Sequence, residues 1–162
     1  MTRSRKLAIV LVVLVGVLCG IQFVPYGRDH NNPPDAALVS WNAPATEALA
    51  KRACFDCHSN RTKWPWYSSF APISWRVQSH VDEGRETLNF TAFKPADKHV
   101  AKAARKAWKE VAEGDMPPGD YLLMHPEARL SPGETRALSA GLKATFATLD
   151  TGKDSEGDDD RD

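Results

Sequence analysis

The chain opens with Arg3, Arg5 and Lys6, then stays apolar over residues 7–24 except for Gln22, and Pro25 closes the run. At a rise of ~1.5 Å per residue, such a run covers most of a ~30 Å hydrocarbon core. It predicts one membrane-spanning helix with little tilt. The basic residues precede it, and Arg28 is offset by Asp29. The positive-inside rule therefore puts the N-terminus in the cytoplasm and everything after Pro25 outside. A cleaved signal peptide is the competing reading. The apolar stretch exceeds a usual signal core, however, and no small-x-small site precedes Pro25. Cys19 follows the bulky Leu18, which argues against lipidation and for an apolar thiol. Gly16 and Gly20 form a G-x-x-x-G pair, a weak signal for packing of two anchors.

Beyond the anchor segment (1–27), residues 28–43 carry Asn31, Asn32, Pro33 and Pro34 with few apolar positions, which predicts an extended linker. A helical domain is expected over 44–149. Its first helix covers 46–53, with Asn42 as cap, and runs into Cys54. Ile73, Val77 and Val81 recur every four residues after Pro72, predicting a second helix over 72–84; residues 87–93 read as irregular. After Pro95, Val100, Ala104, Trp108 and Val111 make an apolar stripe that ends at Gly114, a C-terminal stop. Ser131, Pro132 and Glu134 form a capping box, followed by Leu138, Leu142, Phe146 and Leu149. Residues 150–162 are Gly, Asp and Glu with almost nothing apolar, which predicts a solvated, disordered acidic tail. The pattern is all-α.

A chain of 162 residues that gives one segment to a membrane has room for a single small domain. A large apolar cofactor would then contribute much of its core. Net charge is zero, and Lys and Arg are scattered rather than interleaved with aromatics along a stripe. Nucleic acid is not expected as a partner.

The chemistry is concentrated in Cys54-Phe55-Asp56-Cys57-His58. On a helical backbone, positions three and four apart share a face, so both thiols and the imidazole can address one planar ligand. Cys-x-x-Cys-His is the attachment signature of c-type haem, in which two thiols add to the vinyl groups and the histidine reaches the iron. Three rivals use the same residues. A thioredoxin-like redox pair needs an α/β context, which this pattern lacks. A structural zinc site needs further ligands; His80 or His99 could serve, but no second Cys or His pair completes a known spacing. A disulfide across so short a loop gains little chain entropy.

Met116 stands in Gly114-Asp115-Met116-Pro117-Pro118, directly after a helix stop, where the prolines restrict the loop. A thioether there would complete the iron's coordination, favour the ferrous state and raise the potential. Met124, His125 and His80 are the other candidates, and an open site stays among the readings. Trp64, Trp66, Tyr67, Phe70 and Trp75 crowd the stretch after His58 and suit either ordinary core packing or a haem wall. Arg61, Lys63 and Arg76 are available to pair with propionates. The carbonyl of Pro65 or Pro72 is expected to orient the second nitrogen of His58.

Taken together, Cys54-Phe55-Asp56-Cys57-His58-Ser59-Asn60, Trp64-Pro65-Trp66-Tyr67-Ser68, Ala71-Pro72-Ile73-Ser74-Trp75, Gly84-Arg85, Leu88-Asn89-Phe90, Met116-Pro117 and the segment from Tyr121 to Ser131 resemble the bacterial haem-binding domain family. The resemblance runs over about 32–146. It implies a small c-type cytochrome-like helical domain around one covalently attached haem c, on one N-terminal anchor, with Cys54, Cys57 and His58 as attachment residues. Gly141 departs from the family pattern, which tends to be bulkier or apolar there, and this predicts looser packing of the last helix. Two functional classes follow. The preferred one is an extracytoplasmic electron carrier on the cytoplasmic membrane, with His58 and Met116 on the iron. It is matured by cytochrome c biogenesis machinery and reaches redox partner proteins through its linker. The other is a haem enzyme or a gas or peroxide sensor, with His80, His125 or Tyr121 beside a bound ligand. A third, plainer option is an interaction module that uses haem only to fold.

Overall fold

The computed structural model describes residues 2–149, and the acidic segment 150–162 lies outside them. Among the described residues the elements are seven α-helices and short 3₁₀ turns, without a β-strand. The fold is all-α. The residues group into two compact units, one comprising the chain up to Asn31 with Lys63–Asp82, the other Asn32–Thr62 with the chain from Glu83 on.

The first unit begins with helix α1 (Arg3–Ile21), in which no residue is buried. It is long and apolar enough to cross a membrane. Just past its end, the Gln22 side-chain amide donates to the Ala71 carbonyl at 2.8 Å and accepts from the Ala71 amide at 3.0 Å. Gly27 takes a positive φ of 78° and lies against the Ser74 carbonyl, leaving no space for a Cβ. His30 stacks on Trp64 at 4.8 Å, and its Nε2 is 2.9 Å from Ser68 Oγ. The aromatic stretch 64–75 thus belongs with the end of the apolar helix.

In the second unit, α2 (Pro44–Ala53) and α3 (Phe55–His58) carry the cysteine motif. Helix α4 (Ile73–Thr87) starts in the first unit and finishes in the second. It does not stop at Gly84 as its sequence suggests. Helix α5 (Lys98–Glu113) is capped by Asp97, whose carboxylate accepts from the His99 and Val100 amides, and stops at Gly114 with φ 84°. A short α6 (Gly119–Met124) was not expected from the pattern, because six residues carry no periodicity. Helix α7 (Pro132–Thr145) starts with the full capping box of Ser131 and Glu134.

The core is formed by Leu138 and Leu142 of α7, Val100, Ala104 and Val111 of α5, Ala50, and the ring pair Phe55 and Phe90. Burying a leucine of this kind contributes about 2–3 kcal/mol. One expectation is corrected here. Asn42 does not cap α2, whose N-cap is Ala43; its side-chain oxygen instead accepts from Thr145 Oγ1 at 3.1 Å, tying it to the end of α7. Part of the stretch expected as an extended linker is held in place. The amides of Ala36, Ala37 and Val39 donate to carbonyls of Thr91 and Phe90, the Phe93 amide returns a bond to Ala37, and Val39 is buried. The stretch is extended but held, because its backbone groups find partners in 90–93.

Gly141 also differs from expectation. A Cβ there would stand 2.5 Å from Thr46 Cγ2 and 2.9 Å from Thr46 Cβ. The glycine marks the close approach of α2 and α7, not a loose spot.

Candidate functional site

Cys54 sits at the break between α2 and α3, and its carbonyl accepts the amides of Cys57 and His58. That single turn carries all three motif residues, of which Cys54 and His58 face the cavity described below. Burial pushes the Cys54 thiol up to about 12, with the neighbouring Cys57 adding to it. Cys57 rises to about 11, first through burial and then through the Asp56 carboxylate. Both remain protonated near neutrality, and neither is in a disulfide. Among the described residues no group of three His, Cys, Asp or Glu side chains converges to hold a metal ion, so the zinc alternative has no ligand set.

His58 is fixed from an unexpected direction. Its Nδ1 donates to the carbonyl of Leu88 at 2.9 Å, not to Pro65 or Pro72. Burial lowers the imidazole pKa, against the opposing pull of the Leu88 and Gly84 carbonyls, which favours the neutral ring. With Nδ1 carrying the proton, Nε2 is left as the free lone pair, the state a metal ligand needs.

The segment that supplies this carbonyl is itself locked. Asn89 is buried; its Oδ1 accepts from the Thr91 amide, the Thr91 hydroxyl and the Ala92 amide, and its Nδ2 donates to Asn60 Oδ1 at 2.8 Å. The Phe90 amide donates to the His58 carbonyl. Arg85 completes the frame, donating from Nε to the Ser59 carbonyl at 2.9 Å and from its terminal nitrogen to Asn32 and Thr62. Gly84 lets α4 reach the motif, since a Cβ there would stand 2.6 Å from the Cys57 carbonyl oxygen. Local reading of the sequence missed these supports. Their only signal was the recurrence of Gly84-Arg85 and Leu88-Asn89-Phe90 in the resemblance.

An apolar cavity of about 280 Å³ opens on this frame. Cys54 and His58 line one part, Leu88 and Phe90 another, and Ala107, Val111 and Leu142 close it from α5 and α7. Met116 lines it too. Its amide and that of Asp115 both donate to the Glu110 carbonyl, which pins the loop to the end of α5. Cys57 lies against Gly84 and is not part of the lining.

Other expected site residues fall elsewhere. Tyr121 donates to Asp56 Oδ2 at 2.8 Å and stacks on His125 at 4.2 Å; that burial and the Asp56 charge push its pKa up. Neither ring lines the cavity. His80 belongs to the first unit, and Met124 is exposed. None of Trp64, Trp66, Tyr67, Phe70 or Trp75 forms a cavity wall; Phe90 does. Of the basic residues, Arg61 pairs with Asp35, Lys63 and Arg76 belong to the first unit, and Lys106 is the cation on the cavity.

The cavity has a neutral histidine with one nitrogen spoken for, a thiol beside it and apolar walls, a donor set that suits a porphyrin iron. A family model described as the haem-binding domain matches residues 16–144, most of the chain. The chain belongs to the haem-binding domain family. Neither a curated protein nor a solved structure matches it. The cavity and the residues that brace His58 lie within one compact unit of this haem-binding protein.

Proposed function

We propose that this haem-binding protein is a membrane-anchored, extracytoplasmic electron carrier with one haem c, joined to Cys54 and Cys57 and held by His58 and Met116. The observation that carries the reading is the His58–Leu88 bond, which reserves Nε2 for iron at an apolar cavity shared with Cys54 and Met116. A haem so held supplies a one-electron couple at its iron. Cys54 and Cys57 would hold the group as thioethers, each by addition of its S–H across a vinyl group, sulfur to one carbon and hydrogen to the other, which would consume no oxidant. Biogenesis machinery is the partner that would present the haem.

His58, fixed in one tautomer, would hold the iron, and the pinned Met116 would offer a soft donor that favours the reduced state. Leu88, Phe90 and Val111 give the cavity apolar walls, which would raise the cost of a charged ferric form. Lys106 borders both the cavity and an adjoining pocket with His99 and Lys102, and is the cation placed for propionate carboxylates. The carrier reading is preferred to an enzyme or sensor because Tyr121 and His125, which such chemistry would use, line neither pocket. Redox partner proteins at the membrane belong to the same proposal, which gives the anchoring role to a helix long and apolar enough to span.

The test is a pyridine haemochrome spectrum and an intact mass on full-length protein matured with cytochrome c biogenesis machinery. A thioether-type spectrum and the added mass of one haem are expected. Pigment fully extracted by acidified organic solvent, with an unmodified polypeptide left behind, would overturn covalent attachment.

A further inference from the structure

Large apolar side chains cluster on the first unit where no core requires them. Trp66 is 77% exposed, Phe70 56% and Ile73 51%, and Phe23, just past α1, is 88% exposed. Trp66 meets Tyr67 and Phe70 edge-on at 5.9 and 6.2 Å, so these rings form one patch rather than scattered residues. Exposed apolar patches on a soluble surface mark an interaction site.

The depth of the patch is set by a polar clamp. The two hydrogen bonds between Gln22 and the Ala71 backbone hold the turn beside the last turn of α1. If α1 spans a bilayer with its basic end inside, Gln22 stands at the outer boundary between acyl chains and headgroups. The turn's own backbone is also largely satisfied from within. The Ser68 amide and hydroxyl use the Pro65 carbonyl, the Phe70 amide uses Tyr67, the Ala71 amide uses Gln22, and the Ser74 amide uses Phe70. A segment with its amides already paired loses little on entering a water-poor layer. Trp and Tyr are the residues favoured at that layer.

We infer that the aromatic turn 64–73 seats in the outer lipid interface beside the end of α1, as a second membrane contact of the protein. This rests on the anchoring role given to α1 under the proposed function. The occupant is the headgroup and acyl boundary of the bilayer that α1 crosses, because the clamp joins the patch directly to that helix.

The experiment is photolabelling of full-length holoprotein in nanodiscs of phosphatidylethanolamine and phosphatidylglycerol, with an apolar diazirine dissolved in the bilayer. Label is mapped by mass spectrometry. The expected result is incorporation in the tryptic fragment 64–76 as well as in 7–24, each on the order of tenfold above the Lys98–Glu113 background. Label in 7–24 with only background in 64–76 overturns the inference, leaves the anchor standing, and would point to a protein partner for the patch. Background in both segments overturns the anchoring role and the inference with it.

Discussion

His58 Nδ1 donates to the carbonyl oxygen of Leu88, a residue thirty positions further along the chain, at 2.9 Å. The bond matters because a backbone carbonyl cannot be tuned by its own side chain; its position depends on whatever holds the segment. Asn89 does this by taking three donors on one oxygen and giving one to Asn60.

Asn89→Ala should therefore leave several buried groups without partners and cost about 2 kcal/mol of stability, read by chemical denaturation. In the haem-loaded protein the same change should broaden the orientation of the His58 ring, seen as broadened g-values in the electron paramagnetic resonance spectrum of the ferric low-spin protein. Asn89→Asp should retain part of the network through its remaining oxygen acceptors. Equal effects of both changes, or none, would mean the segment is held by other means.

How much of this was legible beforehand depended on the distance over which each signal acts. Helices α5 and α7 were readable because Asp97, Gly114, Ser131 and Glu134 announce their ends locally. The cysteine motif was readable because its members lie within one turn. The bracing by Leu88, Asn89 and Arg85 joins residues 23–53 positions apart with no periodic pattern. The aromatic run 64–75 followed the motif closely in sequence, which suggested a haem wall. Its partners are instead Gln22, Gly27 and His30. Gly84 and Gly141 look like helix breakers along the chain, and only their neighbours across the fold explain them.

Gly141→Ala is expected to destabilise the second unit by about 1–3 kcal/mol, although alanine is the better helix former. The added methyl would press on Thr46, itself buried against α7. Thr46→Ala combined with Gly141→Ala should recover part of the loss, because it removes the hydroxyl and methyl that collide and leaves the Cβ at 2.9 Å. Strict additivity in a denaturation double-mutant cycle would sink the close-approach account.

The capping box should leave a mark on acid stability. The Ser131 amide, the Arg52 guanidinium and the Ser131 hydroxyl hold Glu134 down at about 2 from its ordinary 4.5. A carboxyl more acidic in the folded than in the unfolded chain stabilises the fold above its unfolded value and loses that contribution as it protonates. The contribution is thus complete above about pH 4.5 and disappears as pH falls towards about 2. Thermal unfolding of Glu134→Gln should show a lower Tm than the parent at pH 6, and the two curves should converge across that acid window. A Tm difference that stays constant from pH 6 to pH 2.5 would rule the mechanism out.

Met116 carries the choice between an electron carrier and a ligand-binding haem. Its side chain reaches the cavity while remaining 38% exposed, and the Glu110 carbonyl grips its amide. A thioether placed by its backbone in this way costs little to hold on an iron, and its removal leaves no second methionine or histidine besides His58 among the described lining residues, since His125 and Tyr121 engage Glu127 and Asp56. Met116→Ala should convert a six-coordinate low-spin spectrum to a five-coordinate high-spin one and lower the reduction potential. Carbon monoxide should then bind the ferrous variant at least about tenfold faster than the parent, since no ligand has to leave first. Met116→His tests the same position with the backbone grip intact, and should restore six-coordination at a lower potential than the parent. If the parent already binds carbon monoxide as fast as the alanine variant, Met116 is not on the iron, and the site belongs to a protein that takes up exogenous ligands.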